Sequence, residues 1–87
     1  MIPKLMQIKR LARKLGIKGE INNSTRKQKK YMIEVDGLKI HFGEKGYDDY
    51  LDHRNEKRRE NFHKRFKNNK GYNDPKSGLY YSARLLW

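Results

Sequence analysis

The segment from Tyr31 to Phe42 contains two runs of β-forming residues that flank the dipeptide Asp36-Gly37. Asp-Gly accepts the positive φ angles of a tight type I′ turn, so this pattern predicts a β-hairpin. In both runs apolar side chains alternate with polar ones, which gives each strand one apolar face. Because an isolated hairpin is only marginally stable in water, a helix or a neighbouring chain must cover that face.

The segment from Asp48 to about Lys67 is predicted to be the helix that covers the hairpin. Acidic residues occupy its first turns and basic residues its last, the polarity that the helix dipole favours. Leu51, Phe62 and Phe66 share one face, which Asn55 and Arg58 interrupt. An arginine on that face needs a carboxylate or an external partner, or its aliphatic stem passes the edge of the core and leaves the charge in water.

The first thirty residues carry most of the charge. They contain ten basic groups and one acid, a net charge of +9, whereas residues 31–87 carry only +3. Charge therefore divides the chain into a basic N-terminal arm, residues 1–30, and a hairpin–helix–tail domain, residues 31–87.

The start of the arm is predicted to be an amphipathic helix from Met1 to Leu15. Its apolar side chains recur on one face, Pro3 suits the first turn and Gly16 can end the helix. The basic side chains of this helix either lie on an anionic partner or form an ordinary solvated surface. Residues 16–30 are predicted to be a loop or a short irregular strand, because glycine, asparagine and serine are mixed there with a basic run.

The last nine residues, Leu79 to Trp87, are mostly large apolar or aromatic side chains. Exposing them to water would create a patch large enough to cause aggregation. They are predicted to form an aromatic C-terminal tail or a short helix. This segment either fills the core of its own domain or inserts into a neighbouring protein.

With 87 residues the chain is long enough for one small domain only. It contains no cysteine and only 34% of its residues are hydrophobic, so neither a disulfide nor a cysteine zinc site can supplement a thin core. The predicted fold class is α+β: a small single domain with an N-terminal amphipathic helix, a β-hairpin, one longer basic helix and the C-terminal tail. We also expect a soluble protein that stays where it is made, since no apolar run is long enough for a membrane span or a secretory signal.

Histidines and an acidic cluster raise the question of metal-dependent catalysis. Asp49 and His53 lie one helical turn apart, and a hairpin followed by a helix is also the outline of the ββα-metal nucleases. Only His41 could join them as a ligand, and no nucleophilic triad, cysteine or phosphate-binding glycine loop is present. We therefore expect no enzymatic activity, no metal, no cofactor and no small-molecule substrate.

The second half of the chain carries a distinctive order of short motifs: Phe42-Gly43, Tyr47-Asp48-Asp49-Tyr50, a basic helix, Asp74-Pro75 and Leu85-Leu86-Trp87. Over roughly residues 38–87 it resembles a small uncharacterised family that occurs in crAss-like tailed phages and large double-stranded DNA viruses. The N-terminal arm is not part of the resemblance. The resemblance implies a virion or viral-genome context and supplies no catalytic motif.

Charge and resemblance together predict a viral structural protein: an auxiliary, or minor, capsid protein that binds between major capsid subunits and stabilises the phage head. A net charge of +12 implies an acidic or polyanionic partner. The residues expected to contact it are Lys4, Lys9, Arg10, Arg13, Lys14, Arg26, Lys27, Lys29, Lys30, Arg54, Arg58 and Arg59. Those expected to dock on protein are Tyr80, Tyr81, Leu85, Leu86 and Trp87. The protein would be made in the host cytoplasm and reside in the virion, with the major capsid protein and other virion proteins as partners.

The alternative is a small basic nucleic-acid-binding protein, packaged or intracellular, that contacts phosphates without reading sequence. In that case the basic face of the arm would contact phosphates, together with Arg54, Arg58, Arg59, Lys64 and Arg65. The candidates for stacking on bases are Tyr47, Tyr50 and Tyr72. The two hypotheses differ in the C-terminal tail, which particle incorporation needs and nucleic-acid affinity does not.

Overall fold

The computed structural model of the protein describes residues 2–87. Its elements in chain order are helix α1 (Lys4–Lys14), strands β1 (Glu20–Asn23), β2 (Lys29–Val35) and β3 (Leu38–Glu44), helices α2 (Tyr50–His53) and α3 (Glu56–Phe66), a 3-10 turn (Lys70–Asn73), helix α4 (Gly78–Tyr81) and a π-helical turn (Ser82–Leu86). The α+β class, the N-terminal helix and the β-hairpin are confirmed.

The three strands form one antiparallel sheet in the order β1-β2-β3. Its register places Ile33 of β2 between Ile21 of β1 and Ile40 of β3. Directly opposed residues on neighbouring strands point to the same face, so the three isoleucines form an apolar row across the sheet. This row is the centre of the surface that the rest of the chain has to cover.

The tight turn of the hairpin forms where the sequence predicts it. Asp36 (φ 50°) and Gly37 (φ 78°) both adopt the positive φ angles of a type I′ turn. In the segment 16–30 the predicted alternatives were a loop or a short irregular strand, and the strand is present at Glu20–Asn23. The hairpin thereby becomes a three-stranded sheet, which is far more stable than two strands alone.

The apolar face of the sheet is covered by the two ends of the chain. Helix α1 contributes Ile8 and Ala12, which lie one turn apart on the same side of the helix. The C-terminal segment contributes Tyr81, Leu85 and Leu86, and all five side chains are buried with the isoleucine row in one core. The hydrophobic core therefore contains residues from both sides of position 30, at which the strongly basic arm ends.

The prediction of one helix from Asp48 to about Lys67 that covers the sheet is wrong in two respects. No residue of α2 or α3 is fully buried, and α2 contributes only the partly buried Leu51 to the edge of the core, so these helices do not form the main cover of the sheet. The helix is also interrupted, because Arg54 takes a left-handed conformation with φ 53°. The side chain of Asn55 then accepts a hydrogen bond from the N–H of Arg58 and begins α3. Asparagine is a preferred N-cap residue, so a new helix begins at this point.

Helix α1 lies close to its predicted position. It begins at Lys4, directly after Pro3, and ends at Lys14. Gly16 follows with φ 75°, a left-handed conformation that glycine adopts without strain and that commonly ends helices. Met1, the predicted first residue of this helix, lies outside the described residues.

Candidate functional site

Four of the predicted anion-binding cations lie on the exposed side of α1: Lys9, Arg10, Arg13 and Lys14. We call this surface the α1 basic face. Among residues 2–87 none of the four has an ion-pair partner. The opposite side of the helix is packed in the core, so the direction in which the four charges point is set by packing.

Lys4, at the start of α1, does not belong to that face. Its Nζ lies 2.7 Å from Oδ2 of Asp49 and 3.0 Å from Oδ2 of Asp52. Nζ of Lys30 lies 3.1 Å from the same Asp49 oxygen. Asp49 is 2% exposed, and the two ammonium groups compensate a carboxylate that would be costly to bury alone. The sequence predicts that both lysines contact an anionic partner. In the structure they instead form ion pairs within the chain, and these ion pairs attach α1 and β2 to α2.

The pKa shifts agree with this ion cluster. Burial acts to lower the pKa of Lys4, but hydrogen bonds to Asp49 and Asp52 outweigh it and hold the pKa above its ordinary value. Burial acts to raise the pKa of Asp52, but hydrogen bonds from Lys4 and from the backbone N–H of Asp49 hold it below its usual range. Both pKa shifts favour the charged forms of Lys4 and Asp52 at neutral pH.

The other cations of the arm lie at the turn between β1 and β2 and at the start of β2. Arg26 and Lys27 are exposed at this turn. Lys29 instead forms an ion pair with Glu44, the last residue of β3. Of the basic run from residue 26 to residue 30, only the first two cations are therefore left for an external partner.

The three arginines expected to contact an anionic partner from α2 and α3 differ in their surroundings. Arg54 donates a hydrogen bond from Nη2 to Gln7 of α1 over 3.2 Å. Arg59 donates from Nε to the backbone oxygen of Trp87 over 2.8 Å and lies 3.6 Å from Glu56. Arg58 is exposed and forms no ion pair with any residue from 2 to 87. Arg58 is therefore the one of these three whose guanidinium has neither a hydrogen bond nor an ion pair among residues 2–87.

Of the tyrosines considered for base stacking, two already carry an arginine. The Arg59 guanidinium lies 4.9 Å from the ring centre of Tyr50, and that of Arg84 lies 5.4 Å from Tyr72. Tyr47 is different, because 74% of it is exposed. Only Tyr47 thus presents its ring to solvent as a stacking surface would require.

The C-terminal docking residues divide into two groups. Tyr81, Leu85 and Leu86 are at most 3% exposed and belong to the core of the chain itself. Tyr80 and Trp87 are half-buried, and Trp87 stacks on Phe62 with ring centres 4.5 Å apart and the rings parallel to within 1°. Filling its own core is thus what this segment does in the structure, and docking through the three buried side chains would require the core to open.

A groove of about 700 Å³ lies between α3, the ends of β2 and β3, and the C-terminal segment. We call it the α3 groove. Its apolar and aromatic lining consists of Phe42, Tyr47, Phe62, Phe66, Leu79, Leu86 and Trp87, and its charged lining consists of Lys29, Lys30, Glu44, Asp48, Asp49, Arg58 and Arg65. A concave site of this volume that combines apolar and polar lining groups is typical of ligand-binding pockets.

Sequence reasoning did not identify the α3 groove, although one signal for it was present. Along α3, the groove is lined by Arg58, Asn61, Phe62, Arg65 and Phe66. Their spacing of three or four residues places all five on one side of a helix. Reading this stripe as a mixed apolar and cationic surface, instead of as an interrupted core face, would have indicated a binding surface.

The residues considered as metal ligands do not come together. Asp49 binds two lysines, Nδ1 of His41 lies 2.7 Å from Oγ of Ser24, and Nδ1 of His53 accepts a hydrogen bond from the N–H of Asn55. Within residues 2–87 no three side chains of histidine, cysteine, aspartate or glutamate are grouped so that they could hold a metal ion. In the same range, no helix has the length and apolar character that crossing a membrane requires.

Residues 19–66, more than half of the chain, match the model of DUF5754, a family of unknown function. The matched segment begins just before β1 and ends at the last residue of α3, so it contains the whole sheet and the α3 wall of the groove. It overlaps the expected resemblance over residues 38–87 but also includes part of the arm, and it leaves out the C-terminal segment. No curated protein and no solved structure matches the chain.

Proposed function

The chain belongs to the DUF5754 family, and we propose that it is an auxiliary capsid protein that binds between major capsid subunits of a viral head. The observation that carries this proposal is the α1 basic face, an unpaired set of cations on a helix whose other side is packed in the core. Potentials of opposite sign favour association and fix its register. The partner is therefore an acidic surface, and under this proposal that surface lies at the junctions between adjoining capsid subunits.

The ion cluster supports the same proposal, because it makes the arm part of the domain. Lys4 is bound to Asp49 and Asp52, so the basic helix is held in place before any partner arrives. A surface that is already ordered loses less conformational entropy on binding than a flexible tail does. Many copies of such a rigid unit, with extents of 35 × 35 × 28 Å, stabilise a shell by bridging its subunits.

The proposal is tested by quantitative mass spectrometry of purified particles before and after the genome is expelled. A fixed number of copies per major capsid protein that survives genome loss is the expected result. Loss of the chain together with the genome would indicate a genome-bound protein, and absence from particles would contradict a virion role. The R10E/R13E variant should lower the copy number at least about threefold, whereas K70E/K76E, with the same charge change away from α1, should not.

The second candidate function is sequence-independent binding of nucleic acid. It is favoured by the exposed ring of Tyr47 and by Arg26 and Lys27 at the β1–β2 turn. Phosphate contacts make the affinity for nucleic acid fall steeply as the salt concentration rises. Stacking of a base on an aromatic ring contributes binding free energy that salt does not remove. Binding of a single-stranded oligothymidylate, measured at several salt concentrations for the natural chain and Tyr47→Ala, separates this candidate from the first. Affinity that is weak and unchanged by the substitution would eliminate it.

A further inference from the structure

Helix α3 has eleven residues and none of them is buried. A helix on the surface of a small domain normally buries its apolar stripe against the core. Here Phe62 and Phe66 are only half-buried, and they face the α3 groove. The helix therefore presents an apolar surface that the described residues cover only in part.

The contacts that hold α3 in place leave this surface open. Trp87 stacks on Phe62, and Arg59 donates a hydrogen bond to the Trp87 backbone oxygen. Nδ1 of His63 lies 2.7 Å from the hydroxyl oxygen of Tyr72 on another side of the helix. These contacts fix the helix at a distance from β3, and the groove is the space between them.

The charges along the two walls of the groove are distributed unequally. On the α3 wall, Arg58 and Arg65 have no ion-pair partner among residues 2–87. On the opposite wall, Glu44 is paired with Lys29 and Asp49 with Lys30. Asp48 is the remaining acid of that wall and forms no ion pair within the described part of the chain. Uncompensated positive charge is thus concentrated beside the apolar surface of α3.

We propose that the α3 groove binds an acidic peptide segment of a partner protein. An aliphatic or aromatic side chain of that segment packs against Phe62 and Phe66, and its carboxylates pair with Arg58 and Arg65. This inference rests on the proposed function in one respect, since there the segment belongs to a neighbouring capsid subunit. It goes further by naming the chemistry that the subunit has to present.

Two observations favour a peptide over a nucleic acid in this groove. The apolar lining side chains that keep accessible surface, Phe62, Phe66, Leu79 and Trp87, offer little to a phosphate and much to an apolar side chain. On the wall opposite α3 the carboxylate of Asp48 has no ion-pair partner among residues 2–87 and would repel a phosphate chain, whereas a peptide can place its acidic residues on the α3 side only.

The test uses the intact protein and Trp87, its only tryptophan, which lines the groove. The probes are a synthetic peptide library that combines acidic residues with one or two apolar positions, and two control sets. In one control set lysine replaces the acidic residues, and in the other serine replaces the apolar ones. We expect members of the first set to change the Trp87 fluorescence and to bind at least about tenfold more tightly than their matched controls. An oligothymidylate is measured alongside.

Two double variants with the same change in net charge locate the effect. R58E/R65E should weaken peptide binding at least about tenfold, whereas K70E/K76E, outside both the α3 groove and the α1 basic face, should leave it within about threefold. Circular dichroism and urea unfolding verify that both variants fold. Equal losses in the two variants, no binding by any library member, or tighter binding of the oligothymidylate with a change in Trp87 fluorescence would each overturn the proposal.

Particle incorporation distinguishes failure of this inference from failure of the proposed function. If R58E/R65E enters particles at the normal copy number, the groove does not bind a capsid subunit, and the capsid role through α1 is unaffected. If the natural chain binds the acidic peptides but is absent from particles, the groove inference holds and only its assignment to a capsid subunit fails.

Discussion

Helix α3 and the C-terminal segment from Gly78 to Trp87 are nearly equal in length but opposite in burial. Helix α3 has no buried residue, whereas Tyr81, Ala83, Leu85 and Leu86 of the C-terminal segment are all at most 3% exposed. The reason is composition, because burial of apolar area is the main favourable term in folding. The C-terminal segment is mostly apolar, and α3 has only its two phenylalanines.

This difference shows which segments are buried when a chain has few apolar residues. Covering one face of the sheet requires the apolar residues of α1 and of the C-terminal segment together. Aromatic contacts of Trp87 with Phe62 and of Tyr72 with His63 then pack against α3, which is otherwise held by its N-cap and a few hydrogen bonds. Stability is therefore concentrated in one region, and an open recognition surface is left in the other.

The largest expected effect is the loss of a core side chain from the C-terminal segment. Leu85→Ala should lower the free energy of unfolding by about 2–5 kcal/mol, because it removes buried methyl groups and leaves a cavity. Urea unfolding followed by circular dichroism measures this loss. The matched control is Leu15→Ala, which replaces a half-exposed leucine and should cost less than about 0.5 kcal/mol. Similar losses of unfolding free energy in both variants would show that the C-terminal segment does not form part of the core.

The next largest effect should follow removal of the buried charge that attaches α1 to α2. Asp49→Asn keeps an N-cap side chain but removes the buried carboxylate from Lys4 and Lys30, whose ammonium groups then have only the carboxylate of Asp52 nearby. We expect a loss of about 2–3 kcal/mol in the free energy of unfolding at pH 7. The neighbouring exposed Asp48 supplies the control, and Asp48→Asn should change stability by less than about 0.5 kcal/mol. Equal effects of the two would mean that the ion cluster does not hold the arm.

A third variant tests the close packing of α4 on β3. At Gly78 an added Cβ would lie 2.4 Å from the backbone oxygen of His41, so alanine should force the segments apart and cost about 1–3 kcal/mol. Without that contact the same substitution would stabilise the helix, since alanine has the higher helix propensity. The sign of the change in the thermal unfolding midpoint of Gly78→Ala therefore distinguishes the two effects. A lowered midpoint is expected, and a raised midpoint would contradict the close packing of α4 on β3.

A smaller effect on stability is expected in α3. Phe66→Ala should lower the free energy of unfolding by less than about 1 kcal/mol, because the side chain is half-buried and lines an open groove. The same variant should lose at least about tenfold in affinity for the acidic peptides. Leu85→Ala, measured under conditions in which it remains folded, should show the opposite pattern: a large loss of stability and little change in peptide affinity. A large loss of stability in Phe66→Ala would remove the distinction between the two regions.

The smallest effect should be a pH dependence that arises from His41. Burial, together with the nearby charges of Arg26, Lys39 and Lys29, lowers the pKa of His41 below its usual value of about 6.5. The unfolded chain then binds the proton first, so stability is highest above that value and decreases as the pH falls through it. The unfolding midpoint of the natural chain should therefore decrease from pH 7 to pH 5 more than that of His41→Gln. Parallel curves would exclude this contribution.

The elements predicted most accurately from sequence depend on residues that are close together in the chain. The Asp36-Gly37 turn, the two strands beside it and helix α1 follow from local conformational preferences and from the alternation of apolar side chains. The break between α2 and α3 is also local, but Asn55 is compatible with both a helix interior and an N-cap. Helical periodicity alone favoured the uninterrupted helix, and the capping hydrogen bond decided otherwise.

The candidate site depended more on long-range contacts than the fold did. The sequence indicated a basic surface, and the α1 basic face lies where the amphipathic pattern places it. The sequence could not indicate that Lys4 forms an ion pair with Asp49, which lies 45 residues away in the chain. Nor could it show that the predicted docking residues Tyr81 and Leu86 are buried, because their apolar character suits a core and an interface equally.

Net charge, the hairpin turn and the amphipathic character of α1 were thus determined by the sequence alone, since each is a property of composition or of neighbouring residues. The tertiary structure alone decided which apolar segments cover the sheet, which cations are paired and where the α3 groove lies. Several apolar segments competed for one sheet face. The outcome depended on which of them buried the most apolar area there, and that comparison involves the whole folded chain at once.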